Sequence, residues 1–273
     1  MRIGTTLTSS GPRLFAEHDG ERRAIGAAGQ PLTDLLEDGR LRAPLGEPLP
    51  AGPLAPPVRP GKVVAIGLNY LDHIREAKVA PPPAPLIFAK FPSSVIGPDA
   101  PIVIDPALTA RVDWEVELAA VVGRTARNVP EERALEHLFG YTVGNDVSAR
   151  DVQFADGQWV RGKSMDTFCP LGPVLVTIDE IPDPQRLGLR TRVNGETVQD
   201  SSTSLMLFGV ARLISYCSAS FTLEPGDVVL TGTPWGCGEF MDPRRSLQPG
   251  DVVEAEVDGI GVLRNPVTAR MPG

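Results

Sequence analysis

The sequence predicts a predominantly β protein of the α+β class with a small N-terminal domain. Three observations predict it. Gly and Pro each number 28 among 273 residues and are spread between short β-rich runs, which reads as many turns. Asn194-Gly195 and Asp258-Gly259 each stand between strand-like runs, as in tight hairpins. Helical signals are few beside these.

Taken in order, residues 1–43 read as a few short strands and one short helix near 32–41. Residues 44–60 hold seven prolines and almost no polar periodicity, the composition of a linker. The expected division is therefore a small N-terminal domain with a Pro-rich linker over 1–61 and a main domain over 62–273. In the main domain, Val63-Val64-Ala65-Ile66 and Leu86-Ile87-Phe88-Ala89 are short apolar strands, and 114–122 is a longer one. A helix is expected over 130–139, opened by Pro130 with Glu131 and Glu132 in its first turn and stopped by Gly140. A second is expected over 204–218, with Leu205, Phe208, Leu213 and Ile214 as its apolar positions. No internal repeat is found.

Composition excludes several function classes. A 42% hydrophobic chain of this length can bury a sizeable core. Lys and Arg total 26 against 34 for Asp and Glu, a formal charge of -8, so no basic excess exists to engage a phosphate backbone, and no nucleic-acid partner is expected. The apolar run 118–122 falls far short of the ~20 residues that span a bilayer, so no membrane partner is expected either. The N-terminus lacks the apolar core of a signal peptide, and three cysteines cannot all pair within one chain. A cytoplasmic location fits these features. Neither a Gly-x-Ser-x-Gly elbow nor a His-Glu-x-x-His motif appears.

The chemistry concentrates in one strand. Val112-Asp113-Trp114-Glu115-Val116-Glu117-Leu118 alternates strictly, placing Asp113, Glu115 and Glu117 on one face. Ala119 and Val121 follow on that face, so the glutamates sit at a core's edge. Two carboxylates a pleat apart repel, and burying them calls for a cation or a proton; the alternative is a solvated edge strand. Oxygen-only donors point to a hard ion, Mg²⁺ or Mn²⁺, with Ca²⁺ also fitting. Asp146, beside Asn145, is the candidate third ligand, although an Asn-Asp pair is also a common turn.

Together these residues carry a resemblance. Glu115-Val116-Glu117-Leu118 followed by Asn145-Asp146-Val147-Ser148-Ala149-Arg150-Asp151 resembles the fumarylacetoacetate hydrolase family. Asn69-Tyr70 with His73 and Glu76, the strand Phe88-Ala89-Lys90, Arg161-Gly162-Lys163-Ser164, and the run from Leu230 to Gly238 agree in order. The match extends over about 62–267. It implies a mixed β-sandwich roll, a homodimer, and Mg²⁺ or Mn²⁺ on Glu115, Glu117 and Asp146. It also implies carbon–carbon cleavage, decarboxylation or isomerisation of small oxo acids. The founding branch has a further aspartate ligand upstream, and Asp72 is not matched to it. Cys237 stands where the family commonly has an aliphatic residue, and Trp235 lies in a variable loop.

The roles that follow are expectations. A 2-oxo acid chelates a divalent ion through its carboxylate and carbonyl, and the ion acts as a Lewis acid toward the enolate. Lys163 supplies a point positive charge where the enolate oxygen develops, unless it is a solvent lysine. His73 and Glu76, three apart on a helix, form a water-activating dyad, or else a surface pair. The proline-rich stretch 80–85 suits the end of a mobile lid. Arg150 and Gln153 reach the metal edge toward a substrate carboxylate, although Arg150 can equally pair with Asp113 or Asp151. Lys90 adds local positive charge, and Thr233 lines the pocket within Gly232-Thr233-Pro234. The expected activity is hydrolysis of a carbon–carbon bond in a small 2,4-dioxo acid of acylpyruvate or fumarylpyruvate type. The alternative is an oxaloacetate-type decarboxylase or a 2-oxo or 2-hydroxy-diene acid isomerase on the same scaffold. A non-catalytic oxo-acid-binding protein ranks below both, because every site residue is present.

Overall fold

Strands dominate the computed structural model, which describes residues 1–271. One long sheet runs in the order Leu45–Leu49, Glu21–Ile25, Gly11–His18, Arg2–Thr8, Cys169–Thr177, Leu138–Asn145, Val116–Val122, Val228–Leu230, Val63–Gly67 and Leu86–Lys90. A five-stranded sheet contains Ile102–Ile104, Gly261–Ala269, Val252–Val257, Gly188–Val193 and Glu196–Ser202 in that order. Val116, Leu118 and Val143 of the first share one core with Leu189, Ala255, Val257 and Leu263 of the second. The opposite face of Val116–Val122 carries Ala119 and Val121 into another core with Leu171, Val228 and Leu230. Buried on both faces, this strand is held rigidly, and the glutamate at its start inherits that rigidity.

Both hairpins form where Asn-Gly and Asp-Gly predict them: Gly188–Val193 pairs with Glu196–Ser202, and Val252–Val257 with Gly261–Ala269. The helical expectations are corrected by tertiary contacts. Residues 131–137 form a 3₁₀ helix, Glu131–His137, and Leu138 already opens a strand paired on both sides. Gly140 is not a helix stop. A Cβ there would lie 2.1 Å from the Val176 carbonyl oxygen, so glycine permits the close strand pairing. The second helix is Val210–Ser220, preceded by the 3₁₀ turn Thr203–Leu205. Its expected first turns are pulled straight by Asn69, whose side chain accepts from Phe208 N at 2.9 Å and donates to Phe208 O at 3.0 Å.

Near the N-terminus the expected helix over 32–41 shrinks to the 3₁₀ turn Leu32–Leu35. A two-residue hairpin follows, with Asp38 and Gly39 both at positive φ, the backbone that an Asp-Gly turn demands. The proline-rich stretch is not a free linker. Leu45–Leu49 pairs with Glu21–Ile25, and Leu54–Ala55 pairs with Arg2–Thr8. Arg2–Thr8 in turn pairs with Cys169–Thr177, so the long sheet runs across residue 61 without a break. Among the described residues no helix is long and apolar enough to cross a membrane.

Candidate active site

The carboxylate segment is two strands with a break between them. Val112–Asp113 pairs with Ser148–Ala149, and Val116–Val122 pairs with Leu138–Asn145. Trp114 and Glu115 lie between the two ladders. Asn145 spans the break by accepting from Glu115 N at 3.0 Å, and Asp146 N donates to Glu115 O at 2.9 Å. The break corrects the single strict alternation over 112–118. Asp113 accepts from Arg150 and from the backbone N–H groups of Trp114, Gly238 and Glu239.

Glu115, Glu117 and Asp146 come together. All three are buried, and one oxygen of each lies within 4.8 Å of the others. Lys163 sits among them, its Nζ 2.6 Å from Glu115 and 2.8 Å from Asp146. Arg150 bridges Glu115 at 2.7 Å and Asp113 at 2.8 Å, and donates to Gln153 Oε1 at 3.1 Å. Of the two partners weighed for Arg150, Asp113 is taken. Asp151 instead accepts from Thr109 and Ala110 N.

These contacts tune the groups in opposite directions. Burial pushes the Glu115 carboxyl up, but Lys163 and Arg150 outweigh it and hold the group below its usual range. Glu117 has no ion pair of its own. Burial and the carboxylates of Asp146 and Glu115 push it well up, against the charge of Lys163 and a 2.7 Å hydrogen bond from Gly232 N. Gly232 is at φ +99°, and a Cβ there would meet Asn69 at 2.7 Å, so only glycine brings this N–H to the carboxylate. Burial lowers the Lys163 ammonium, but Asp146 and Glu115 more than compensate and keep it charged. The oxygen-only donor set, with one carboxyl left proton-hungry, suits a hard divalent cation. The residues present fit such an ion.

The dyad forms as well. Asn69-Tyr70 leads into the helix Leu71–Ala77, and His73 Nδ1 lies 3.0 Å from Glu76 Oε2. Glu76 is itself held by Gly236 N at 2.8 Å, and Asp72 accepts from His73 N at 2.8 Å. A carboxylate on Nδ1 favours the tautomer whose Nε2 carries the lone pair. His73 lines the same cavity as Glu115, Glu117, Arg150, Gln153, Lys163 and Thr233. Its volume is ≈ 240 Å³.

Lys90 is placed differently from the other candidates. Its ammonium is fully buried behind Asp146, donating to that carboxylate at 2.6 Å and to Val147 O at 3.3 Å, and it does not line the cavity. It holds the Asp146 carboxylate from behind and does not face the cavity. Sequence reasoning missed Gln199, which is fully buried. Its Oε1 accepts from Val116 N and Thr191, and its Nε2 donates to Thr233 and Pro234 O. Nothing in Thr197-Val198-Gln199-Asp200 marks it. Phe154, Trp159 and Phe240, which complete the wall, carried no local signal either. The stretch 80–85 joins the dyad helix to Leu86–Lys90, and Val79 beside it reaches the cavity wall.

The chain matches the fumarylacetoacetate (FAA) hydrolase C-terminal family over residues 62–268. This chain belongs to the fumarylacetoacetate hydrolase family. It is an enzyme of that family, and its predominantly β fold is the family's own. A mitochondrial oxaloacetate tautomerase of Xenopus laevis is 52% identical over 216 residues, 78% of this chain and 67% of that protein. A mitochondrial oxaloacetate tautomerase of Homo sapiens is 45% identical, over 86% of this chain and 79% of its own length. Among solved structures, the 5-carboxymethyl-2-hydroxymuconate delta-isomerase of Mycobacterium smegmatis is 42% identical, with a TM-score of 0.84 over 99% of this chain and 100% of its own. The fumarylacetoacetate hydrolase of Exiguobacterium antarcticum is 40% identical, with a TM-score of 0.88 over the same shares.

Proposed function

We propose that this family member converts a small 2-oxo acid by way of an enolate, with isomerisation or decarboxylation as the outcome and Mg²⁺ or Mn²⁺ as cofactor. The observation that carries the reading is the buried cluster of Glu115, Glu117 and Asp146 with Lys163 among them. The names of similar proteins, oxaloacetate tautomerase and delta-isomerase, support this outcome over the hydrolysis first expected from the sequence. The three carboxylates would hold the ion, which when bound supplies Lewis-acid stabilisation of negative charge on substrate oxygen.

The chain's own groups do the rest. Lys163 keeps a positive charge beside the oxygen on which charge develops. Arg150, held by Asp113, and Gln153 orient the substrate carboxylate. His73 Nε2, backed by Glu76, takes the proton from the carbon next to the carbonyl and returns it to oxygen, which interconverts keto and enol forms. The same lone pair would serve to deprotonate water, and that geometry favours hydrolytic cleavage of a 2,4-dioxo acid as the second reading. The family's homodimer belongs to this proposal and is checked by light scattering.

The test follows enol absorbance, carbon dioxide release and organic products with oxaloacetate, phenylpyruvate and acetylpyruvate, with Mg²⁺, with Mn²⁺ and after chelation. Metal-dependent enol–keto conversion or decarboxylation is expected. Release of acetate and pyruvate as the fastest reaction would put hydrolysis first. Inertness toward all three would overturn the oxo-acid reading.

A further inference from the structure

We infer that the substrate carries a single carboxylate, at its oxo-acid head, and an apolar alkyl or aryl group at the far end. The inference rests on the oxo-acid reading of the site and narrows it to a substrate class. The cavity has one charged region, its floor. The two strong cations there, Arg150 and Lys163, are both buried and both committed, to Asp113 and Glu115 and to Glu115 and Asp146. One anionic head group uses what they can offer.

Apart from His73, Gln153 and Thr233, the rest of the lining is apolar: Leu68, Val79, Phe88, Phe154, Trp159 and Phe240 form most of it, with Phe88 and Trp159 packed edge-to-face at 5.3 Å. Leu68 is held at φ +53°, a costly backbone for a branched residue, kept where its side chain meets the cavity. Nearby cations are elsewhere. Arg161 is tied to Asp156 and Arg111 to Glu239, and the exposed Arg75 and Lys78 on the dyad helix do not line the cavity. A second carboxylate at the far end would meet no lysine or arginine along this wall, whereas an alkyl or aryl group gains by contact with Leu68, Phe88 and Trp159. The formal charge of -8 adds to the penalty on a dianion. This sets the chain apart from the oxaloacetate named for its relatives, which is a dicarboxylate.

The test uses two unreactive oxo-acid mimics of similar length, N-propyloxamate and N-oxalylglycine, which share the head and differ at the far end. Binding to the Mg²⁺-loaded protein is measured by calorimetry, alongside kcat/KM for phenylpyruvate and oxaloacetate. The propyl compound is expected to bind at least about tenfold tighter, the scale on which pockets sort such differences. Phe154→Arg, at a position that is 53% exposed and so tolerant of change, is expected to reverse the order. Equal or tighter binding of N-oxalylglycine to the unaltered protein overturns the inference and leaves the oxo-acid reading standing. Tenfold weaker N-oxalylglycine binding in Lys78→Ala also overturns it, by revealing a cation delivered from the dyad helix. Binding of neither mimic overturns both.

Discussion

Glu117 shows what crowding three carboxylates does to a single residue. Its neighbours Glu115 and Asp146 have Lys163 within 2.8 Å, while Glu117 has the Gly232 N–H as its hydrogen-bond partner, so of the three carboxyls Glu117 is the one pushed well up. Its folded-state pKa lies above the unfolded value of about 4.3. Without metal, the contribution of Glu117 to stability is fully present below the unfolded value and is lost as pH rises through the raised one. A divalent cation bound at the proposed site would compete with a proton on Glu117. Calorimetry of Mg²⁺ binding in two buffers of different ionisation enthalpy is expected to show proton release that grows as pH falls; binding with no release at any pH from 5 to 8 would remove Glu117 from the site. The role proposed for His73 is separable: His73→Ala is expected to lower turnover by about 10²–10⁴-fold with Mg²⁺ affinity unchanged. Equal rates in steady-state assays would take His73 out of the chemistry.

At the scale of elements, the site is a junction of one rigid strand with a short helix and an irregular loop. Val116–Val122 is buried on both faces, the dyad helix Leu71–Ala77 docks through Glu76 onto Gly236 N, and Gly232 grips Glu117. Gln199 joins these parts by bonding Val116 N on one side and Thr233 and Pro234 on the other. Gln199→Ala leaves several buried groups without partners and is expected to cost about 3 kcal/mol in urea denaturation. It is also expected to raise KM more than it lowers kcat, because Thr233 loses its anchor. The elements legible in the sequence were those with a local cause: the Asn-Gly and Asp-Gly hairpins, the short apolar strands and the dyad helix. The elements misread were governed from a distance. Phe208 and its neighbours are stretched by Asn69, and Gly140 is a strand residue because Val176 lies against it. Neither partner is near in sequence.

At the scale of the whole molecule, burial decides reactivity. Cys169, Cys217 and Cys237 are all buried and free. Burial pushes the first two thiols up to about 12 and the third well above its ordinary value, Arg150 only partly offsetting the rise at Cys237. At pH 8 the native protein is expected to leave Ellman's reagent unreacted, and the unfolded chain to titrate three thiols. Labelling of one thiol in the native state would reveal local opening, and at Cys237 it would report on the dyad 3.9 Å away.

By itself the sequence determined the β-rich class, the hairpins, the family and the carboxylate trio, because each is written in short spacings or in motifs that keep their order along the chain. The helix carrying His73 and Glu76 was legible for the same reason, since a spacing of three places both on one face. The tertiary structure alone decided that Arg150 chooses Asp113 and Glu115, that Lys90 stands behind Asp146, and that Gln199 holds the pocket loop. It also decided that the proline-rich stretch joins the sheet. Those outcomes depend on which side chains meet across tens or hundreds of residues, and charge pairing and close packing settle them only once the strands are in register.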